Sequence, residues 1–225
     1  MGKNDNGNNG RTELVFVVDR SGSMGGLESD TIGGFNSMLS KQRTIAGECR
    51  VTTLLFDHRI ETLHNHLDIR EVNDLTSRDY WVRGSTALLD AIGLAIDRMI
   101  VTQRHTAAAY RAQHVLFVII TDGYENASRR YSLHQIKQMI TYERERYHWE
   151  FVFLGANIDA EQTAGDFGIS PRCATDFHAD GQGIKASFEA VACAATAVRG
   201  GADLDDLSAP DFLGGVRDDY RSRRR

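Results

Sequence analysis

Two strand-length apolar runs that stop at an acid constrain this chain most. Residues 13–18 read ELVFVV and run into Asp19. Residues 114–123 read HVLFVIITDG and reach Asp122. Both are rich in β-branched and aromatic residues, the composition of strands buried on both faces. A third apolar run, WEFVFLGAN at 149–157, has the same character.

Between these runs the periodicity changes from strand to helix. A helix over about 28–45 places Ile32, Phe35, Met38 and Leu39 on one face. GSTALLDAIGLAIDRMI places Leu88, Ile92, Ala95, Ile96 and Met99 together over 87–100. Residues 132–147 turn Ile136, Met139 and Ile140 inward, and 181–199 align Ile184, Phe188, Val191, Ala195 and Val198. Asp159 caps a short helix, DAEQTAGDF, that Gly168 stops. RVTTLLF at 50–56 is a strand, Asp57-His58 turns the chain, and RIETLHNHL at 59–67 returns antiparallel at an edge. A brief strand falls near 172–176. Alternating strands and helices predict an α/β fold with a mostly parallel central sheet, one antiparallel edge strand and helices on both faces.

Composition sets the domain frame. With 225 residues, 41% of them hydrophobic, and no Pro/Ser-rich linker in the middle, one domain is expected. It spans 13–199, between a polar Asn/Gly-rich segment, 1–12, expected to be disordered, and a Gly/Asp/Arg-rich segment, 200–225, expected to be a flexible tail. A net charge of −5 argues against nucleic acid as the partner. No stretch is apolar for long enough to span a bilayer, and MGKNDNGNNG has no apolar signal core. Cys49, Cys173 and Cys193 are odd in number and lack a zinc spacing, which suits reduced thiols in the cytoplasm.

In an open parallel sheet, ligands bind beyond the carboxyl ends of the strands. Asp19 and Asp122 both end strands there, and two nearby carboxylates repel unless a cation lies between them. Ser21 and Ser23 alternate in the loop after Asp19. Thr86, ahead of the 87–100 helix, adds a neutral oxygen from another loop on this edge. Carboxylate and hydroxyl are hard donors that suit Mg2+ or Mn2+, with Ca2+ as a further candidate.

These residues carry a resemblance. DRSGS matches the DxSxS motif of von Willebrand factor type A domains, and Thr86 in GSTALLDA and Asp122 in IITDG follow in that family's order. The resemblance covers nearly all of 13–199. It implies a three-layer, Rossmann-like fold and a metal-ion-dependent adhesion site made of Asp19, Ser21, Ser23, Thr86 and Asp122. By the same resemblance, Ser21 and Ser23 bind the cation directly, and Thr86 does so directly or through water. Asp19 and Asp122 act through water. One coordination position is left for an Asp or Glu of a protein partner. FLGANIDAEQTAGDFGI is similar to the later part of short bacterial members, and such proteins often serve beside AAA+ ATPase chaperones.

Enzyme readings fare worse. A dehalogenase-like phosphatase needs a second Asp two residues after the first, where Ser21 stands. Gly-x-Ser-x-Gly, a P-loop and a dinucleotide fingerprint are all missing from the loop after the first strand. A metal-dependent hydrolase using the same cation stays the alternative to a binding module. Arg20 is expected to be solvated, His64 and His66 to be exposed on one strand face, and 142–146 (YERER) to form a solvated helix face.

Overall fold

The chain is described by a computed structural model over residues 10–223. Six strands form one sheet: β1 (Thr12–Asp19), β2 (Cys49–Phe56), β3 (Ile60–Asp68), β4 (His114–Asp122), β5 (Glu150–Ala156) and β6 (Ala174–Asp176). Their order is β3-β2-β1-β4-β5-β6, and every neighbouring pair is parallel except β2 and β3. The helices are α1 (Glu28–Arg43), α2 (Leu88–His105), α3 (Leu133–Tyr147), α4 (Ala160–Phe167), α5 (Gly181–Arg199) and α6 (Gly214–Ser222). The predicted α/β architecture is therefore the one found.

Burial explains why the strands are unbroken apolar runs. All eight residues of β1 and the last eight of β4 are buried, because helices cover both faces of the sheet. On one side α1 packs against α5, with Phe35 meeting Phe16 at 5.2 Å and Phe188 at 6.2 Å, both edge to face. On the other side α2, α3 and α4 follow one another. Helix starts use local chemistry. Ser132 and Gln135 form a capping box on α3, and the Asp159 and Asp180 carboxylates cap α4 and α5.

Four expectations are corrected. β1 starts at Thr12, one residue into the segment expected to be disordered, while residues 1–9 lie outside the described residues. The 200–223 segment is not a loose tail: Leu204, Leu213 and Val216 are buried, and α6 packs on α5 and β6. Its apolar residues are too sparse to show periodicity, and its charges find partners. Arg217 donates to the carbonyls of Pro171, Arg172 and Ala174, and Arg223 pairs with Asp180 and Asp219. Arg224 and Arg225 lie outside the described residues.

The two histidines of β3 do not share an exposed face. Register shifts opposite Thr53 break the alternation, and His66 takes a left-handed φ of 55°. His64 turns inward, stacks on Phe35 and lies 3.0 Å from Thr53 Oγ1, while His66 reaches the buried Glu13 at 2.7 Å. In α3, Glu143 is buried rather than solvated.

The docking of the last segment has a pH signature. Burial, then the negative charges of Asp203 and Asp205, push the Glu150 carboxyl up to about 7; the Leu204 N–H and Arg144 act the other way. An acid whose pKa is raised on folding contributes stability below its unfolded value and loses it as pH rises through the folded value. Stability is therefore expected to fall between about pH 4.5 and 7 relative to Glu150→Gln. Urea titrations of both proteins across that range check it, and parallel curves would refute it.

Candidate metal centre

β1 is the point where the sheet order reverses: the first crossover leads to β2 on one side, and β4 lies on the other. A crevice opens at such a position, beyond the carboxyl ends of the strands. Asp19 and Asp122 end β1 and β4 there, two residues beyond a shared register of Val17 with Ile119 for Asp19 and three for Asp122.

Asp19 is fully buried and held at both carboxylate oxygens and at its carbonyl. Its Oδ1 accepts the Ser21 N–H at 2.6 Å, and its Oδ2 accepts the Thr121 hydroxyl at 2.7 Å and the Asp122 N–H at 3.3 Å. Tyr80 donates its hydroxyl to the Asp19 carbonyl at 2.6 Å. A single 3-10 turn, Gly22–Met24, then brings the Ser21 and Ser23 hydroxyls within 3.0 Å of each other.

Thr86 comes from the opposite loop and is buried. Its N–H donates to Asn126 Oδ1 at 2.9 Å, and its carbonyl accepts the N–H groups of Asn126 and Ala127. Asn157 donates to Asp122 Oδ1. Gly123 shows how close these parts are: a Cβ there would lie 3.5 Å from Ser23 Oγ and 3.9 Å from Thr86 Oγ1. The hydroxyls of Ser21, Ser23 and Thr86 thus face one small cradle beside the strand ends that carry Asp19 and Asp122, and a single methyl group on Gly123 would enter it.

The electrostatics favour a cation. Burial raises the Asp19 carboxyl despite its hydrogen bonds. Asp122 is raised by burial too, with the Asn157 bond opposing and the Asp19 charge reinforcing the shift. Two desolvated carboxylates beside three hydroxyls form a hard-oxygen donor set, and the residues present fit a divalent ion of the Mg2+ class. Among the described residues no three His, Cys, Asp or Glu side chains gather as a metal site, so the cradle depends on its hydroxyls.

The structure also shows what holds the two loops together, which the sequence reading missed. Arg20 is not solvated but completely buried. Its Nε donates to Asp57 Oδ2 at 3.1 Å, and Arg83 Nε donates to the same oxygen at 2.8 Å. Arg20 also lies 2.8 Å from the Glu61 carboxylate, and Trp81 has Arg20 and Arg83 over its ring at 5.4 and 4.4 Å. Burial alone would raise the Asp57 carboxyl; the bonds from Arg83 and the Arg59 N–H, with the Arg20 charge, hold it below its ordinary value. Backbone bonds complete the seam: Arg83 N–H to the Arg20 carbonyl, Gly22 N–H to the Gly84 carbonyl, and Ala87 N–H to the Asp57 carbonyl. Gly84 has a φ of 67°, and a Cβ there would strike the His58 ring at 2.2 Å, so this corner requires glycine. The sequence signal was another strand, RVTTLLF, followed directly by an acid, Asp57.

The sequence matches no family model and no curated protein. Solved structures match the fold. The vWF domain of the type V pili tip protein Mfa5 from Porphyromonas gingivalis superposes with a TM-score of 0.56 at 12% identity, over 83% of this chain and 95% of that one. Proximal thread matrix protein 1 from the mussel byssus, in a structure with a zinc-occupied MIDAS motif, gives 0.56 at 13% identity, over 83% and 46%. Manganese-loaded Plasmodium vivax TRAP gives 0.53 at 15%, over 80% and 72%. This chain spans less than half the length of the mussel protein. The fold is thus the Rossmann-like α/β fold of von Willebrand factor type A domains. Among the described residues, no helix is long and apolar enough to cross a membrane.

Proposed function

We propose that Asp19, Ser21, Ser23, Thr86 and Asp122 hold a divalent cation, Mg2+ or else Mn2+ or Ca2+, and that the chain is a binding module rather than an enzyme. The observation that carries this reading is the placing of the Ser23 and Thr86 hydroxyls on either side of the Gly123 Cβ position, with the Ser21 hydroxyl 3.0 Å from that of Ser23 and the buried Asp19 and Asp122 ending the adjoining strands. When bound, the cation supplies positive charge and a position that a partner's Asp or Glu can fill. Ser21 and Ser23 offer hydroxyls already side by side. Both oxygens of Asp19 are engaged by protein donors, which suits a role through water and charge balance rather than direct contact. The zinc- and manganese-bearing structures of the same fold support the choice of a divalent ion. The partner is a protein; the free thiols of Cys49, Cys173 and the exposed Cys193 agree with a cytoplasmic setting.

Ser21→Ala is expected to abolish Mg2+- or Mn2+-dependent thermal stabilisation while leaving the metal-free protein folded. Calorimetric titration of both proteins reads this directly. A wild-type chain that takes up neither ion would sink the metal site. A pull-down with Mg2+, repeated with EDTA, tests the partner: capture that is indifferent to EDTA would sink the carboxylate-bridging role.

A further inference from the structure

β5 runs parallel to β4 with Ala156 in register with Asp122, so the next residue, Asn157, leaves the sheet beside the strand end that carries the acid. Its backbone has a φ of 55°, in the left-handed region. Glycine takes that conformation freely, and asparagine is one of the few other residues that tolerate it. The turn itself therefore needs no side chain. Asn157 nevertheless uses its own: the amide donates to Asp122 Oδ1. An ionised carboxylate only accepts, so the N–H side of the amide is the side that faces it.

The two acids of the cradle are held unequally. Asp19 has three donors spread over both of its oxygens. Among the described residues, the Asp122 carboxylate has one, the Asn157 amide. Its Oδ2 has no protein donor, and nothing but Asn157 fixes the carboxylate by a hydrogen bond. Asn126 also reaches the site, but it bonds the Thr86 backbone and not the hydroxyl that would serve a metal. Asn157 is thus the side chain outside the five donors that bonds directly to the side chain of a donor on the β4 side.

We infer, on the metal-binding reading of the cradle, that Asn157 is a positioning residue for the cation: it pins Asp122 through one oxygen and leaves the other for the ion's water shell. Residues that orient the groups around a metal typically change its affinity by about 10- to 100-fold when removed. A residue that served the turn alone would leave that affinity unchanged when replaced by glycine.

Calorimetric titration of the full chain with Mg2+ and with Mn2+, beside melting temperatures without metal, tests this role. Asn157→Gly keeps the left-handed turn and deletes only the amide. Asn157 is exposed, so the variant disturbs little packing. It is expected to fold and to bind the ions about 10- to 100-fold more weakly than the wild type. Asn157→Asp has nearly the same shape and also tolerates the turn, but it turns a second carboxylate towards Asp122. Without metal, at neutral pH, it is expected to melt earlier than the wild type because like charges then meet. Ion binding by Asn157→Gly equal to that of the wild type would overturn the inference while leaving the metal site standing. A metal-free Asn157→Asp protein that melts with the wild type would overturn it as well, since the contact with Asp122 would not be made. A wild-type chain that takes up neither ion would overturn the metal site, and this role with it.

Discussion

Asp57→Ala is expected to lower the unfolding free energy by about 3–5 kcal/mol, because it leaves a buried guanidinium without its partner. Arg20 is completely buried and Asp57 side-chain atoms have no exposure, so water cannot replace the lost contact. Glu61 stays 2.8 Å from Arg20, but it is about half exposed and takes over little of the charge, which argues for the lower end of that range. Arg83, about a third exposed, loses its hydrogen bond at smaller cost. Urea unfolding at neutral pH measures the change, and a loss under about 1 kcal/mol would refute the buried pairing. The double variant Arg20→Met/Asp57→Leu sharpens the test. Replacing both partners with apolar groups removes the unpaired charge, so most of the stability should return. A double variant as unstable as Asp57→Ala would mean that the loss comes from packing, not charge.

Asp57 also shows why part of the site was legible in the sequence and part was not. Asp19, Ser21, Ser23, Thr86 and Asp122 could be read because each follows a recognisable element: two apolar strands and the start of an amphipathic helix. Strand ends in a parallel sheet fall on one edge, so position along the chain becomes position in space. Arg20 lacked such a signal. A single arginine in a loop is solvated by default, and its burial depends on an acid at the end of the neighbouring strand and an arginine from a third segment. His64 failed for a related reason: a period-2 reading assumes an unbroken ladder, and the register shifts opposite Thr53 are invisible in composition. The last segment was obscured by its charges. Gly-, Asp- and Arg-rich sequence reads as a tail, yet Arg217 and Arg223 are tied down by carbonyls and carboxylates from elements far away in the chain.

Gly123→Ala is expected to weaken divalent-ion binding by about 10- to 100-fold, an effect of the size usual for disturbing a metal's surroundings. The added methyl would sit 3.5 Å from Ser23 Oγ and 3.9 Å from Thr86 Oγ1, at ordinary contact distance, so it fits the protein while occupying the space that the hydroxyls enclose. A second cost is separate. Gly123 has a φ of 146°, a region that residues with a Cβ rarely adopt, so the metal-free protein should lose about 1–3 kcal/mol. Ser23→Ala separates the two effects, because it removes an oxygen without straining the backbone. If the cradle is the metal site, both variants lose the metal-dependent rise in melting temperature, and Gly123→Ala alone also melts earlier without metal. Retained metal binding in both would place the ion elsewhere. Retained binding in Gly123→Ala alone would mean that the hydroxyls reach the ion from a side that the methyl group does not block.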